Sequence, residues 1–274
     1  MNIRTLSIFA ILVLAAGTAP SNAQTPASDP DLDLNMAQPD FTLVGLPTNL
    51  RVPKFKSAFR VTHRFTRPLG DGSFSDLASD FFGLDTGAQI GLEYRFGILS
   101  KTQIGINRTS DRTIAFFGQR EVFAQSENFP FTISALATID GTDNFSDSYS
   151  PALGAVVSST IGEWAALYLE PVWVNNSNVL PSELDDENDT FLIGLAARVR
   201  VRPTVYLVFE GSPRVSGYKP GDAQMSFALE KRAGGHMFQL NISNGIGTTF
   251  GPIARGARSN DDWFIGFNIT RKFF

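Results

Sequence analysis

In Lys54-Phe55-Lys56-Ser57-Ala58-Phe59-Arg60-Val61-Thr62-His63-Arg64-Phe65-Thr66, one set of alternate positions holds Phe55, Ser57, Phe59, Val61, His63 and Phe65. The other holds Lys56, Ala58, Arg60, Thr62, Arg64 and Thr66. An extended strand sends successive side chains to opposite faces, so this stretch reads as a strand with one mainly apolar face and one cationic, polar face.

The period of two recurs along the chain. Ala88, Ile90, Leu92, Tyr94 and Phe96 oppose Gln89, Gly91, Glu93 and Arg95, and Phe191, Ile193, Leu195, Ala197 and Val199 oppose Leu192, Gly194, Ala196, Arg198 and Arg200. Met225, Phe227 and Leu229 oppose Gln224, Ser226, Ala228 and Glu230, and Phe238, Leu240 and Ile242 oppose Gln239, Asn241 and Ser243. With 103–107, 112–123, 131–139, 150–160, 164–174, 205–212 and 263–273, the pattern predicts twelve strands between Lys54 and Phe274. Each is about as long as a transmembrane β-strand, or slightly shorter.

The connections alternate in length. Those at 67–85, 140–149, 175–189, 213–222 and 244–262 are long, whereas 97–101, 124–130, 161–163, 202–204 and 232–235 are short, and 110–111 is the exception in the long series. An even-stranded, all-β, up-and-down antiparallel barrel in an outer membrane has this asymmetry, with both termini and the short turns periplasmic. A soluble sandwich also alternates polar and apolar faces, but it gives no reason for loop length to follow strand parity.

Composition fits the same reading. The 274 residues are 43% hydrophobic, include 24 Phe and contain no Cys. Their mean hydropathy of −0.02 is too low for a bundle of membrane helices. Without Cys, a disulfide scaffold, a thiolate metal site and covalent haem attachment are excluded. Net charge is −4 with scattered basic residues, which points away from nucleic acid.

Residues 1–23 read as a secretory signal peptide. Arg4 precedes the apolar run 6–16, and Ser21-Asn22-Ala23 supplies the small-residue cleavage site, so the mature chain begins near Gln24. Residues 24–53 hold Pro26, Pro30, Pro39 and Pro47 beside Asp29, Asp31, Asp33 and Asp40. That composition predicts a flexible or extended periplasmic segment, with the barrel occupying 54–274.

The C-terminal stretches Gly234-Gly235-His236-Met237-Phe238-Gln239-Leu240-Asn241 and Trp263-Phe264-Ile265-Gly266-Phe267-Asn268-Ile269-Thr270-Arg271-Lys272-Phe273 resemble the end of a bacterial outer-membrane β-barrel family of the domain-of-unknown-function 5777 type. His63-Arg64-Phe65, Phe82-Gly83-Leu84-Asp85 and 198–213 extend the likeness across nearly all of 54–274. The resemblance implies a barrel and an exported location, and it names no substrate. Trp263, Ile265, Phe267, Ile269, Phe273 and Phe274 resemble the signal that outer-membrane barrels present to their insertion machinery.

Chemistry is sparse. His63 falls near the external end of the first strand and His236 near the periplasmic start of the eleventh, so they share no metal. A lipid hydrolase needs Ser and His in hydrogen-bond reach, and Ser110 or Ser148 beside His63 belongs to no nucleophile motif. Asp185-Asp186-Glu187-Asn188-Asp189 lacks the spaced ligands and Gly of a calcium loop and reads as a solvated external loop. Asp140-Gly141-Thr142-Asp143-Asn144 reads as a turn. No cofactor, metal or catalytic residue is expected.

Strand phase sends Lys56, Arg60, Arg64, Arg95, Arg198, Arg200 and Lys272 inward with Glu93, Glu170, Glu210 and Glu230. Seven cations against four carboxylates leave a surplus of three positive charges, so an open lumen is expected to favour anions mildly. Pairing across the lumen would instead close it, and twelve strands lie between filled and wide barrels. The sequence therefore supports a narrow channel for small polar or anionic solutes, or a closed barrel whose external loops or N-terminal segment hold an envelope protein. Membrane lipid faces the outward Phe residues in either case.

Overall fold

The computed structural model describes residues 35–80 and 87–274. The expected signal peptide and Phe82-Gly83-Leu84-Asp85 lie outside the described residues. The strands are β1 (Ser57–Phe65), β2 (Ala88–Leu99), β3 (Thr102–Thr109), β4 (Ile114–Phe123), β5 (Thr132–Gly141), β6 (Tyr149–Ile161), β7 (Ala165–Val174), β8 (Thr190–Arg202), β9 (Val205–Ser212), β10 (Arg214–Gly217), β11 (Gln224–Ala233), β12 (His236–Ser243) and β13 (Phe264–Lys272). Short helices α1 (Phe74–Ser79), α2 (Thr142–Phe145) and α3 (Phe250–Arg255) lie in the connections.

Every strand pair is antiparallel, β1 pairs with β13, and β8 pairs with β9 to close the sheet. β10 continues β9 past Pro213 along the same neighbour, β8. The result is a closed barrel of twelve staves, as the alternation predicts. Proline donates no ladder hydrogen bond, which accounts for the break at position 213.

Strand phase agrees with the wall. In β1, Ala58, Arg60, Thr62 and Arg64 are buried while Phe59, Val61, His63 and Phe65 are half-buried on the outside. Leu92, Leu153, Leu229 and Leu240 are among the exposed outward residues. An apolar band of this extent is the lipid-facing surface of a membrane barrel, since soluble monomers rarely expose contiguous apolar patches above a few hundred Å². Among the described residues no helix is long and apolar enough to cross a membrane.

Phe55 and Lys56 depart from the first-strand reading. β1 starts at Ser57, because Phe55 sits at φ 62° in a turn closed by the Lys56 N–H to Pro53 carbonyl bond. Both side chains are exposed at the rim.

The larger departure is the segment preceding β1. Residues 35–53, expected as part of a periplasmic segment outside the barrel, run inside it. Ala37, Phe41, Leu43, Val44, Leu46 and Val52 are all buried. Leu43, Val44 and Leu46 join an apolar cluster with Val172, Leu192, Val208 and Ile253. Burying Leu43 and Leu46 contributes roughly 1.5–3 kcal/mol each, which rewards a Pro-rich stretch for ordering inside the barrel.

Candidate functional site in the barrel lumen

A segment threading a barrel must satisfy its backbone without a strand partner. Here the wall supplies side chains. The Glu210 carboxylate accepts the N–H groups of Val44, Gly45 and Leu46, each at 2.9 Å to Oε2. The Val44 carbonyl accepts from Arg60 Nη2 at 2.7 Å, Asn268 Nδ2 at 3.2 Å and Arg64 Nη2 at 3.3 Å. Arg198 Nη2 donates to the Thr42 carbonyl at 2.7 Å and Gln239 Nε2 to that of Leu43 at 2.9 Å. Further along, Gln119 Nε2 donates to the Thr48 carbonyl, Asn49 Nδ2 donates to Ser158 Oγ, and Arg51 pairs with Glu121. Lys272 donates to the Pro39 carbonyl.

Of the charged residues expected in the lumen, Arg60, Arg64, Glu93, Arg95, Glu170, Arg198, Glu210, Glu230 and Lys272 are buried there. Lys56 is exposed in the turn before β1. Arg200 is half-buried at the rim, with Nη1 3.2 Å from Glu163. The structure adds Asp40, Glu121 and Asp140, which are also buried.

Buried cations therefore number five and buried carboxylates seven among the described residues, so the expected positive surplus is overturned. Glu121 shares the inward phase of Ala115 and Gln119, but Phe117 lies in that phase and Phe116 in the other, so apolar residues on both faces of β4 mask the alternation. Asp140 is hidden by its turn-like neighbours, yet β5 runs through it to Gly141. Asp40 belongs to the Pro- and Asp-rich stretch whose composition predicts a place outside the barrel.

Pairing organises this charge. Arg198 and Glu230 form a bidentate pair, both bonds 2.9 Å, with Gln239 also donating to Glu230. Glu93 pairs with Arg95, whose guanidinium lies 4.6 Å above the Phe117 ring. Among the described residues, none hydrogen-bonds to either oxygen of the fully buried Glu170.

A second element closes the lumen from the long-loop end. In the 244–263 connection, α3 buries Phe250, Ile253 and Ala254 in the same apolar cluster as Leu43 and Leu46. The Gly251 N–H donates to Asp140 at 2.8 Å, and Gln224 donates to the Gly247 carbonyl at 2.9 Å. A Cβ on Gly45 would stand 3.2 Å from Ile253 Cδ1, so the two closing elements touch where glycine leaves room. A cavity of about 50 Å³ remains between them.

The remaining residues singled out in the sequence stand apart. His63 stacks on Phe267 at 4.7 Å. Ser110 Oγ bonds backbone groups of Ala88 and Ile90, and Ser148 Oγ accepts from Asn176, so neither serine is bonded to His63. Asp189 accepts from Trp173 at the end of β7 and from Asn175 in its own loop. Among the described residues no three His, Cys, Asp or Glu side chains converge as a metal ion would require. Ile265, Phe267 and Ile269 lie on the outward face of β13, with Trp263 immediately before it and Phe273 exposed after it. Phe274 instead packs against the buried Phe41, Val52 and Ala58.

Comparison with solved structures finds likenesses of chain path. A KdgM porin in complex with disordered oligogalacturonate is 7% identical, over 80% of this chain and 99% of that chain, with a TM-score of 0.49. The Acinetobacter baumannii outer membrane protein Omp33 is 10% identical over 81% and 100%, with a TM-score of 0.43. A mutant Rh. blastica porin is 10% identical over 68% and 55%, with a TM-score of 0.36. No curated protein matches the sequence. The family described as membrane bound beta barrel domain (DUF5777) matches residues 40–273, a span that takes in most of the lumen segment as well as the wall. With that match over most of its length and the closed barrel it describes, the chain belongs to the membrane bound beta barrel domain (DUF5777) family.

Proposed function

We propose that this protein is an outer-membrane channel for small polar solutes whose own residues 35–53 close it at rest, and that conduction requires this segment to shift. Export by the 1–23 signal peptide, periplasmic termini, and engagement of the insertion machinery by the β13 aromatic strand belong to the same reading.

One observation carries it. The segment is held by side chains rather than by a strand ladder, and its seat leaves the Glu170 carboxyl without a hydrogen-bond partner among the described residues. A buried carboxyl group without a hydrogen-bond partner is costly to hold out of water, and hydrating the lumen would recover much of that cost. Water can likewise replace side-chain-to-backbone bonds one by one, so the closed state is poised to open. The wall charges are nearly balanced, which favours polar solutes in general over anions.

A second reading, a permanently closed barrel that holds an envelope protein through its external loops, is favoured by the apolar packing of Leu43 and Leu46 against Ile253. Planar bilayers separate the two. The intact protein is expected to be mostly closed, and a variant lacking residues 35–50 is expected to conduct in steady steps. Absence of steps in that variant, with the barrel shown to be folded by its gel shift on boiling, would overturn the channel.

A further inference from the structure

Charge is distributed unevenly between the two ends of the barrel. Among the described residues the long connections carry fourteen Asp and Glu against five Arg and Lys. At the opposite end, Lys54, Arg120, Arg202, Lys231 and Arg271 are exposed with no carboxylate partner in an ion pair, while the exposed acids are Glu127 and Glu163.

The basic charge is densest at the β11–β12 hairpin. A cleft of about 280 Å³ there is lined by Arg232, Gly234, Gly235, His236, Met237 and Lys272, together with Pro39 and Phe274. On its outer lip, Arg271 Nη1 lies 3.3 Å from His236 Nδ1. The hairpin glycines make this approach feasible: Gly234 has φ +56°, and a Cβ on Gly235 would fall 2.7 Å from Arg271 Nη1. The carboxylates nearest in the wall and segment are engaged, Glu230 by Arg198 and Asp40 by Thr270. Phe238 stacks on His236, and Phe273 lies under Arg271. Both rings belong to the outward, lipid-facing phase.

We propose that this corner binds the phosphate of an anionic phospholipid. The phosphate enters the cleft between Arg232, His236 and Lys272, Arg271 closes over it from the lipid side, and the acyl chains follow the Phe238 and Phe273 surface. The cleft falls just below the usual range for drug-sized ligands and suits a headgroup rather than a whole lipid. Basic clusters at a membrane surface recruit anionic headgroups. This site does not depend on conduction, since a permanently closed barrel would present the same corner.

The test uses the full-length barrel in detergent with equimolar phosphatidylglycerol and phosphatidylcholine, and native mass spectrometry reads the retained lipid. Phosphatidylglycerol adducts are expected to exceed phosphatidylcholine adducts about tenfold and to fall to parity in the Arg232→Gln, Arg271→Gln double variant. Arg271→Lys is expected to keep most of the preference. Parity in the unaltered protein, or a preference unchanged in the double variant, would overturn the proposal. Loss of the phosphatidylglycerol adducts on adding inorganic phosphate at the same free concentration would assign the cleft to a soluble anion and overturn the lipid assignment. Should the double variant lose its gel shift on boiling, Arg271→Gln alone, altered only at an exposed side chain, must still lower the preference several-fold, and no change would refute the site.

Discussion

Glu210 of β9 accepts the backbone N–H of Leu46 at 2.9 Å, and the same carboxylate takes the N–H groups of Val44 and Gly45. One wall side chain thus satisfies three consecutive backbone donors of a segment that has no strand partner. In Glu210→Ala these donors lose their acceptor inside the barrel, at a cost on the order of 3 kcal/mol. At 1.4 kcal/mol per tenfold, roughly a hundredfold more open barrel is expected. Faster amide exchange at 44–46 and a rise in open time in bilayers would register it, and unchanged exchange would remove Glu210 as the anchor.

The Arg198–Glu230 pair tests the cost of breaking buried charge. Arg198→Met leaves Glu230 uncompensated and deprives the Thr42 carbonyl of its donor. A loss of about 3–5 kcal/mol in the urea stability of the vesicle-folded protein is expected, and adding Glu230→Gln should restore much of it. Equal midpoints for the single and double variants would show that the pair contributes little.

Because the chain has no Cys, single cysteines report directly on the lumen segment. Leu43→Cys and Leu46→Cys replace fully buried side chains and are expected to resist a membrane-impermeant maleimide until the protein is boiled. Lys56→Cys, exposed at the rim, should label at once. Immediate labelling at position 46 in the folded barrel would mean that the segment is not seated.

Gly194 and Leu46 share one contact. A Cβ at position 194 would lie 2.7 Å from Leu46 Cδ1 and 3.1 Å from the Glu170 Cβ. Gly194→Val should therefore unseat the segment by about 1–3 kcal/mol while leaving the β7–β8 ladder in place. Increased maleimide labelling at position 46 in this background checks it, and labelling as slow as in the parent would argue against the contact.

The outer face makes a separate prediction. Leu240, 56% exposed near the middle of β12, is expected to face lipid. Leu240→Arg should cost about 2–4 kcal/mol of folding free energy in vesicles. The same substitution at Leu184, 74% exposed in the 175–189 loop, should cost almost nothing. Equal costs at the two positions would remove Leu240 from the bilayer.

The wall was legible because a barrel imposes one rule on every strand. Each residue faces lipid or lumen, so Phe59, Leu92, Phe227 and Leu240 mark one side, and Arg60, Glu93, Ser226 and Gln239 the other. The rule fails where the backbone leaves the ladder. Phe55 and Lys56 belong to a turn, and the rule is masked where Phe residues fall on both faces around Glu121 or where Asp140 is still strand in a stretch composed like a turn.

The sequence by itself determined a twelve-stave barrel, its lipid face and most of its lumen charges, because side-chain alternation is a local property of extended chain. Only the tertiary structure decided that the lumen is filled. Residues 35–53 have the composition of an unpacked segment, and no periodicity marks them as interior. Their place is set by distant partners, such as Glu210 more than 160 residues away and Ile253 on α3. Each partner is itself an ordinary strand or loop residue until the barrel closes around it.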